Sequence, residues 1–471
     1  MIGQTAPMRA DRIAEIVGGR LRGNPKAVVH AGRVDSRLCR PGDLFVALAG
    51  ERTDGNLFIE SAWNRGATVA LADVSKDLPK PPPNRSLVAV VDVLAALQEI
   101  ARQRRNDFPN LKVVGITGSN GKTTTKEILG SILRHWKEDR VLINEGNLNS
   151  EEGLPLTLLS LGADHEIAVL EMGMNRRGEI GLLTEIARPE ICLITNIGTA
   201  HVGMLGSKDA IAEEKRAILA FSTEDSIAIV GWDEPRADFL LKDFTGKVLR
   251  FGRLGTGDWE GLIERGIDGW TFIRNGNEID FRLPGHHNAM NAMAAVEASV
   301  ALGAPESSIT RGLEAVEAAF GRSEILRGSI TVVRDCYNAN PESLKAALKM
   351  YSRIKTSGRR VLVLGELQEL GEETEEALRE AARAVAALEP DAIFLFGITL
   401  EVLKSTVMQS GFLGSIQLHS DMDELQKSLF TYLIPGDLVL LKGSRGNALE
   451  RLSPILREVG SESLKAEGMG R

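Results

Sequence analysis

A glycine-rich turn carrying a lysine and three threonines follows the apolar segment VVGIT (113–117). It reads GSNGKTTTKE, so that Gly118 and Gly121 precede Lys122 and open a predicted helix. Glycines let backbone N–H groups face a phosphate, the helix N-terminus adds partial positive charge, and a lysine here reaches the β- and γ-phosphates. Thr123 adds a hydroxyl for Mg²⁺. The turn predicts a nucleotide-phosphate loop rather than a plain strand–turn–helix corner, although the strict G-x-x-x-x-G-K-[ST] pattern fails at its first glycine.

Polar side chains also follow two other apolar segments. Glu171 comes directly after IAVL, and Asn196 and His201 lie at and just past the end of ICLIT. Ligands of open α/β sheets bind outside the carboxyl ends of the strands, and a carboxylate beside an apolar run is costly unless it is paired or bound to a metal. Singly, Glu171 also fits a solvated strand end, and His201 also fits a loop histidine. Beside the phosphate loop, Glu171 and Thr123 predict a magnesium site, to which an imidazole is a less usual ligand.

Lys215 stands in the helical segment SKDAIAEEKRAILAF (207–221). Its spacing of four residues from Ile211 places it on the inward, apolar face of the helix, whereas Glu213 and Glu214 are assigned to the outer face. A lysine at such a position either extends its ammonium to water or serves the site. The spacing leaves both interpretations open.

Four more polar residues surround the predicted boundary at Gly321. Asn288 and Asn291 are three residues apart and share one face of a helix, although Asn288 also fits a simple N-cap. Arg322 and Asp335 bracket a strand, where a surface salt bridge is the alternative to a ligand-binding role.

Alternating aliphatic strands and amphipathic helices must position these residues, which predicts an α/β protein with a mostly parallel central sheet. A polar stretch at 102–110 and Gly321 mark the expected boundaries of three domains, 1–109, 110–321 and 322–471. The predicted strands are 43–48, 67–73, 86–92, 113–117, 167–172, 191–196, 226–231, 329–335, 359–365, 391–397 and 437–443, with a strand-like stretch at 247–283 and a long helix at 286–303.

Composition narrows the class of protein. The 471 residues suit three domains, at about 100–200 residues each. A net charge of −8 and only 5% aromatic residues argue against a nucleic-acid partner. Three scattered cysteines form no disulfide framework and no CxxC metal site. The chain has no signal-like N-terminus and no apolar run long enough to span a bilayer, so we expect a cytoplasmic protein.

Taken in order, the motifs resemble the Mur ligases of peptidoglycan synthesis over nearly the whole chain. The resemblance rests on TGSNGKTTTKE (117–127), EMG (171–173), ITNIGTAHV (194–202), Lys215, GHHNAMNA (285–292), GR (321–322) and DCYNANP (335–341). Residues 35–55, GNLNSEEGLPLTLL (146–159) and YNANP (337–341) are similar to the branch that adds D-Ala-D-Ala to UDP-N-acetylmuramoyl-tripeptide. The diamino-acid-adding branch carries a DNPR motif, which is absent here.

The resemblance implies an N-terminal domain for the UDP-sugar, a central P-loop ATPase domain and a C-terminal dinucleotide-fold-like domain for the incoming D-Ala-D-Ala. It implies ATP contacts from Gly118, Ser119, Asn120, Gly121, Lys122, Thr123, Thr124, Asn288, Asn291, Arg322 and Asp335. It implies two Mg²⁺ ions on Thr123, Glu171, His201 and a carbamylated Lys215. The implied catalytic residues are Lys122, Lys215, His201 and Arg322, and the implied substrate contacts are Ser36, Arg37, Asn147, Asn149, Tyr337 and Asn338.

The implied activity is an ATP-dependent amide ligation through an acyl phosphate, carried out by a monomer with no nucleic-acid partner. Asn56, Ser150 and Gly203 depart from residues common in the family, which bears on substrate contacts more than on catalysis. Two alternatives remain. One is another ligase of the same superfamily, such as folylpolyglutamate synthase, and the other is a P-loop NTPase switch.

Overall fold

The computed structural model describes residues 7–50, 53–255, 258–367 and 374–458. The chain is an α/β protein of three domains, each built on its own mostly parallel sheet. The last residues of the predicted third domain, 459–471, lie outside the described residues. In the part of the chain that is described, no helix is both long and apolar enough to cross a membrane.

The N-terminal domain contains a five-stranded sheet in the order β2-β7-β6-β5-β4, in which only β2 is antiparallel. Its strands are β1 (Met8–Arg9), β2 (Arg20–Gly23), β3 (Val28–Val29), β4 (Ala31–Arg33), β5 (Asp43–Val46), β6 (Val69–Asp73) and β7 (Ser86–Val90). Its helices are α1 (Ala10–Val17), α2 (Ile59–Arg65) and α3 (Val93–Asn106).

The central domain contains a fully parallel six-stranded sheet in the order β13-β12-β11-β8-β10-β9 and a small antiparallel sheet of β14, β15 and β16. The strands are β8 (Lys112–Thr117), β9 (Val141–Ile143), β10 (Ile167–Glu171), β11 (Ile191–Ile194), β12 (Ile227–Gly231), β13 (Lys247–Phe251), β14 (Trp259–Glu264), β15 (Trp270–Arg274) and β16 (Asn277–Phe281). The helices are α4 (Lys122–Lys137), α5 (Gly153–Leu159), α6 (Glu179–Ala187), α7 (Val202–Leu205), α8 (Lys208–Arg216), α9 (Ala237–Leu240), α10 (His286–Ala301) and α11 (Glu306–Ala315).

The C-terminal domain contains a six-stranded sheet in the order β17-β18-β22-β19-β20-β21, in which only β17 is antiparallel. Its strands are β17 (Glu324–Arg327), β18 (Thr331–Asp335), β19 (Arg360–Gly365), β20 (Ala392–Phe396), β21 (Ser415–His419) and β22 (Leu438–Lys442). Its helices are α12 (Pro341–Arg353), α13 (Thr374–Ala386), α14 (Glu401–Gln409), α15 (Met422–Tyr432) and α16 (Ser453–Glu458).

Buried aliphatic side chains cover both faces of the central sheet. On one face, α4, α10 and α11 pack with the small antiparallel sheet, and on the other face α5, α6 and α8 pack over β8, β10 and β11. Strands buried on both faces read as continuous apolar runs, which is why VVGIT and ICLIT stand out in the sequence.

The strand order positions the site. From β8 the chain crosses to the edge strand β9 and returns to β10 beside β8, and β11 and the later strands extend the sheet on the other side of β8, so the sheet reverses its winding at β8. Crevices at such a reversal, outside the carboxyl ends of the strands, hold ligands in open α/β sheets. Here the phosphate loop follows β8, Glu171 ends β10 and Asn196 follows β11.

The predicted strands are confirmed, and the structure adds two local details. The polar stretch at 102–110 is not a simple connection: α3 continues to Asn106, and Arg104 and Arg105 are buried. The Arg105 guanidinium donates to the carbonyl oxygens of Ala187 at 2.9 Å and Phe108 at 2.8 Å, which satisfies its polar atoms while its stem packs against the central domain. Asn288 is not an N-cap, because α10 begins at His286 and Gly285 caps it.

Candidate functional site

A cavity of about 1290 Å³ opens at the carboxyl ends of β8, β10 and β11 and is closed on its far side by the C-terminal domain. Most of the predicted site residues line it. They are Ser119, Asn120, Gly121, Lys122, Thr123, Thr124, Asn147, Asn149, Glu171, His201, Asn288, Asn291, Arg322, Asp335, Tyr337 and Asn338. Four predicted residues lie outside this lining: Gly118 in the phosphate loop, Lys215 on α8, and Ser36 and Arg37 in the N-terminal domain.

The phosphate loop is held by β11 and α10. The backbone N–H of Asn120 donates to Asn196 Oδ1 at 3.0 Å, and the hydroxyl of Thr195 donates to the Asn120 carbonyl at 2.6 Å. Gly118 has a φ of +149°, and a Cβ there would come within 1.8 Å of Thr195 Oγ1. The sequence needs glycine here because the loop leaves no room for a side chain.

Lys122 is the first residue of α4, and its ammonium curls back over the loop. Its Nζ donates to the carbonyl oxygen of Gly118 at 2.7 Å. At the N-terminus of a 16-residue helix, this charge adds to the exposed N–H groups and the helix dipole. The loop is therefore a concentrated positive site within a chain of net negative charge.

Glu171 is 1% exposed and ends β10 beside this loop. Its Oε1 accepts a hydrogen bond from Asn149 Nδ2 at 2.7 Å. Its Oε2 is buried and accepts no hydrogen bond from any described residue, and the nearest cation, Lys126 Nζ, lies 3.9 Å away. A buried carboxylate oxygen without a donor carries a desolvation cost that an oxygen-seeking cation would remove. The donor set of Glu171 and the Thr123 hydroxyl fits Mg²⁺, although the described residues contain no ready cluster of three acidic, histidine or cysteine ligands.

His201 lies in the loop between β11 and α7 and lines the cavity. It has φ +67°, a left-handed conformation that costs free energy for a residue with a Cβ. At this residue the chain turns into α7, of which His201 is the N-cap.

Lys215 is 1% exposed, which confirms its inward position on α8. No described residue forms an ion pair or a hydrogen bond with its ammonium. Burial lowers the pKa of Lys215 well below its ordinary value, and the nearby charge of Lys122 lowers it further. A lowered pKa favours the neutral amine, which is the form that reacts with carbon dioxide.

Glu214 does not lie on an outer, solvated face. It is 8% exposed, and its carboxylate accepts hydrogen bonds from the backbone N–H groups of Gly178 at 2.7 Å and Ile180 at 2.8 Å. These donors form the N-terminus of α6, which has no side-chain cap of its own. The prediction that Glu214 faces solvent is wrong, because it took only one face of α8 to be buried. The structure packs α8 against α6 as well as against α7 and α9.

Asn288 and Asn291 are both buried on the first two turns of α10. Asn288 Nδ2 donates to the carbonyl of Pro284 at 2.8 Å. Asn291 Oδ1 packs so closely on the phosphate loop that a Cβ at Gly121 would lie 2.3 Å from it. Asn291 therefore joins α10 to the loop, and both amides line the cavity.

The C-terminal domain contributes an aromatic and charged wall. The guanidinium of Arg322 lies over the ring of Tyr337, 4.3 Å from its centroid. Asp335 Oδ2 pairs with Lys442 Nζ at 2.9 Å, and the same ammonium donates to the Asn338 carbonyl at 2.8 Å. Asp335 and Lys442 occupy paired positions on β18 and β22, which explains why they meet.

Two contacts join this domain to the phosphate loop and its neighbouring strand end. Asn340, the N-cap of α12, donates from Nδ2 to Asn120 Oδ1 at 2.8 Å. Glu342, in the first turn of the same helix, accepts a hydrogen bond from the Thr199 backbone N–H at 3.0 Å and another from the Thr199 hydroxyl. The N-terminus of α12 thus closes the cavity.

Ser36 and Arg37 form a short 3-10 helix away from the cavity. Ser36 is buried, and Arg37 pairs with Asp35 at 2.7 Å while its side chain remains 80% exposed. That arginine lowers the pKa of Asp35 to about 2. These two residues are not brought together with the rest of the predicted site.

Sequence reasoning missed Lys126, Lys442, Asn340 and Glu342. Lys126 is fully buried and donates to the carbonyl of Asn144 at 2.8 Å. Its spacing of four residues from Lys122, which puts both on one face of α4, was the available signal. Asn340 and Glu342 act across the domain junction, and Lys442 acts between neighbouring strands of the C-terminal sheet. Sequence spacing gives no information about either kind of contact.

Three family models match successive parts of the chain. Residues 28–105 match the family model described as "Mur ligase family, catalytic domain", residues 116–299 match "Mur ligase middle domain" and residues 321–445 match "Mur ligase, glutamate ligase domain". The UDP-N-acetylmuramoyl-tripeptide–D-alanyl-D-alanine ligase of Treponema pallidum is 39% identical over 433 residues, which cover 90% of this chain and 93% of that protein.

Solved structures give the same result. The crystal structure of MurF from Acinetobacter baumannii superposes with a TM-score of 0.84 at 30% identity, covering 96% of this chain and 99% of that one. The MurF ligase of Thermotoga maritima in complex with ADP superposes with a TM-score of 0.75 at 28% identity, covering 91% and 97%. With its phosphate loop, its buried lysine and its three domains in the same order, the chain belongs to the Mur ligase family.

Proposed function

We propose that this protein joins D-Ala-D-Ala to UDP-N-acetylmuramoyl-tripeptide, with hydrolysis of ATP to ADP and phosphate. The observation that carries the proposal is the single cavity in which the phosphate loop, Glu171 and the Arg322–Tyr337 wall of the C-terminal domain face one another. Relatives named for this reaction match along nearly the whole chain.

ATP would lie across the junction of the central and C-terminal domains. The loop from Gly118 to Thr124 and Lys122 would hold its phosphates, and Arg322 would reach the γ-phosphate. Asn288 and Asn291 would contact adenine, and Asp335 would contact the ribose. The ion pair with Lys442 supports that role by holding the Asp335 carboxylate in one orientation.

Thr123, Glu171 and His201 would hold Mg²⁺, with Lys215 as a carbamate adding a fourth ligand and the nucleotide supplying further oxygens. Bound there, two ions would neutralise phosphate charge as it develops in the transition state. The Glu171 oxygen that accepts no hydrogen bond from a described residue and the lowered pKa of the buried Lys215 support this assignment. Carbamylation joins the amine to carbon dioxide with loss of one proton, and it converts a buried amine into an anion.

The reaction needs activation because a carboxylate is a poor acylating agent. An oxygen of the tripeptide's terminal carboxylate attacks the γ-phosphorus and releases ADP, which leaves an acyl phosphate. The D-Ala-D-Ala amine then attacks the acyl carbon, and phosphate leaves from a tetrahedral intermediate. Lys122 and Arg322 would stabilise the transferred charge, and closure by α12 would keep water from the acyl phosphate.

The two other substrates would enter from opposite domains. Ser36 and Arg37 would lie near the uridine diphosphate, where the exposed Arg37 supplies a cation and its neighbour Leu38, 62% exposed, supplies apolar surface. Asn147 and Asn149 would lie near the sugar-peptide, and Tyr337 and Asn338 near the incoming dipeptide. Because its substrates are soluble nucleotides and a dipeptide, we expect the enzyme to work in the cytoplasm. We also expect it to be a monomer.

Phosphate release from ATP tests the proposal when each substrate is omitted in turn. We expect turnover only with UDP-N-acetylmuramoyl-tripeptide and D-Ala-D-Ala together. Turnover with a folate and glutamate instead would support the folylpolyglutamate synthase alternative. Turnover without either substrate, or stimulation by nucleic acid, would support an NTPase switch and contradict the ligase.

A further inference from the structure

Glu214 connects the two structural elements that carry Glu171 and Lys215. It is the residue immediately before Lys215 on α8, and its carboxylate accepts both hydrogen bonds that close the N-terminus of α6. The chain reaches α6 directly from β10, which ends at Glu171. One side chain therefore bridges from the lysine helix to the segment that follows the buried carboxylate.

The contact between Glu214 and the N-terminus of α6 is rigid because it uses two buried hydrogen bonds. Both oxygens of Glu214 are used, at 2.7 Å to the Gly178 N–H and 2.8 Å to the Ile180 N–H, and the residue is 8% exposed. Hydrogen bonds to an ionised acceptor are stronger than neutral ones, and burial protects them from water. The positive end of the α6 dipole stabilises the carboxylate, so this buried charge has a partner.

The helix that Glu214 holds is short. α8 has nine residues, and Ile211 and Ala212 are its fully buried apolar contacts. Apolar contacts are not directional, so by themselves they leave such a helix some freedom to rotate, which would move Lys215 relative to the phosphate loop. Two directional hydrogen bonds at the adjacent position remove that freedom.

We propose that Glu214 is a positioning residue that fixes the separation of Lys215 from Glu171 by capping α6 from α8. It touches neither nucleotide nor metal in this role and acts through Lys215. The inference rests on the proposed function, since it assigns Glu214 to the site where a carbamylated Lys215 would bind metal.

Labelling with ¹³C carbon dioxide, followed by ¹³C NMR of the full-length protein, measures the carbamate directly. In Glu214→Gln the side chain keeps its size but presents an amide N–H₂ to one of the two backbone donors. We expect the carbon dioxide concentration for half-maximal carbamate to rise about tenfold, which corresponds to losing one charge-assisted hydrogen bond. Ligase activity should then recover as carbon dioxide is raised, which a general loss of folding would not allow.

Glu213→Gln is the matched control, because it removes the same charge from the neighbouring, exposed position. We expect it to behave as the unaltered enzyme. Equal carbamate titrations for Glu213→Gln and Glu214→Gln would overturn the inference. Glu214→Asp keeps the charge and shortens the reach, so a normal carbamate in that variant would also overturn it.

A second readout separates this inference from the proposed function. Absence of any carbamate in the unaltered enzyme would remove the carbamate from the proposed function. The position of Lys215 is still measured by the rate at which acetic anhydride acetylates its amine, followed by mass spectrometry of the peptide. If Glu214 positions Lys215, acetylation should be about tenfold faster in Glu214→Gln than in Glu213→Gln. Equal rates in the two variants contradict the positioning role.

Discussion

Glu342 of the C-terminal domain holds Thr199 of the central domain by two hydrogen bonds. The Thr199 backbone N–H donates to Oε1 at 3.0 Å, and its hydroxyl donates to Oε2. Thr199 stands two residues before His201, so the contact ties domain closure to the loop that carries the predicted metal ligand. Lys208 at the start of α8 lies 3.5 Å from the same carboxylate and adds a positive charge to the junction.

Glu342→Ala should therefore lower kcat/KM by about tenfold to a hundredfold, because hydrogen bonds to a charged acceptor contribute about 1.5–3 kcal/mol each. The melting temperature should change little, since the contact lies between domains and not within a core. Steady-state kinetics with all three substrates measures the effect. Glu401→Ala, at the exposed start of α14, is the control and should leave kcat/KM unchanged. Equal values for both variants would show that the Thr199 contact does not support catalysis.

Lys215→Ala should lose about a hundredfold or more of the ligase rate, as expected for loss of a group that stabilises transition-state charge. A small carboxylate such as formate or acetate should restore part of the rate, because it replaces the anion that a carbamate would supply. Lys242→Ala, at an exposed position, controls for loss of a positive charge. Full activity of Lys215→Ala without added carboxylate would remove the carbamate from the mechanism.

The ion pair between Asp335 and Lys442 should behave as a buried pair, since Lys442 is 3% exposed. Lys442→Met alone should lower the free energy of unfolding by about 1–3 kcal/mol, because it leaves a half-buried carboxylate without its cation. The double variant with Asp335→Asn should lose less than the sum of the two single changes. Urea unfolding of all three variants measures the coupling. Lys404→Met removes an exposed pair and should cost less than about 1 kcal/mol.

Gly118→Ala should abolish ATP binding, because the added Cβ would lie 1.8 Å from Thr195 Oγ1 and force the phosphate loop to move. Gly181→Ala offers the opposite case within α6, where the nearest atom would be 3.9 Å away. That change should stabilise the protein by about 0.5–1 kcal/mol through helix propensity alone. Nucleotide titration by calorimetry and thermal melting separate the two effects. Normal ATP affinity in Gly118→Ala would contradict the packing of this loop.

His287 should make the protein less stable in acid. Burial lowers its pKa to about 4, with Asp335 opposing and Lys442 and His286 adding to the shift. An unfolded chain takes up this proton below pH 6.5, whereas the folded protein does not, so stability falls as the pH drops from 6.5 to 4. The full loss between these two pH values is about 3 kcal/mol. Melting temperatures of His287→Gln should depend less on pH over this range, and those of His135→Gln, at an exposed position, should follow the unaltered protein.

The sequence alone was sufficient for features that depend on neighbouring residues. The phosphate loop, the apolar strands around it and the inward position of Lys215 all follow from local spacing, because turns and helix faces are decided within a few residues. The strands β9 and β21 were not predicted from the sequence. β9 has only three residues, and all five residues of β21 are half-buried, so neither shows a clear alternation of apolar and polar side chains. The resemblance to a ligase family also rested on ordered motifs.

Only the tertiary structure decided which distant residues meet. The Asp335–Lys442 pair joins positions 107 residues apart because β18 and β22 are neighbours in the sheet. Glu342 reaches Thr199, and Asn340 reaches Asn120, because the C-terminal domain folds over the central one. Glu214 was assigned to solvent because a single helical face was assumed, yet a second packed neighbour buried it. A sequence determines what each segment prefers, and the free energy of packing the segments together determines which polar groups become partners.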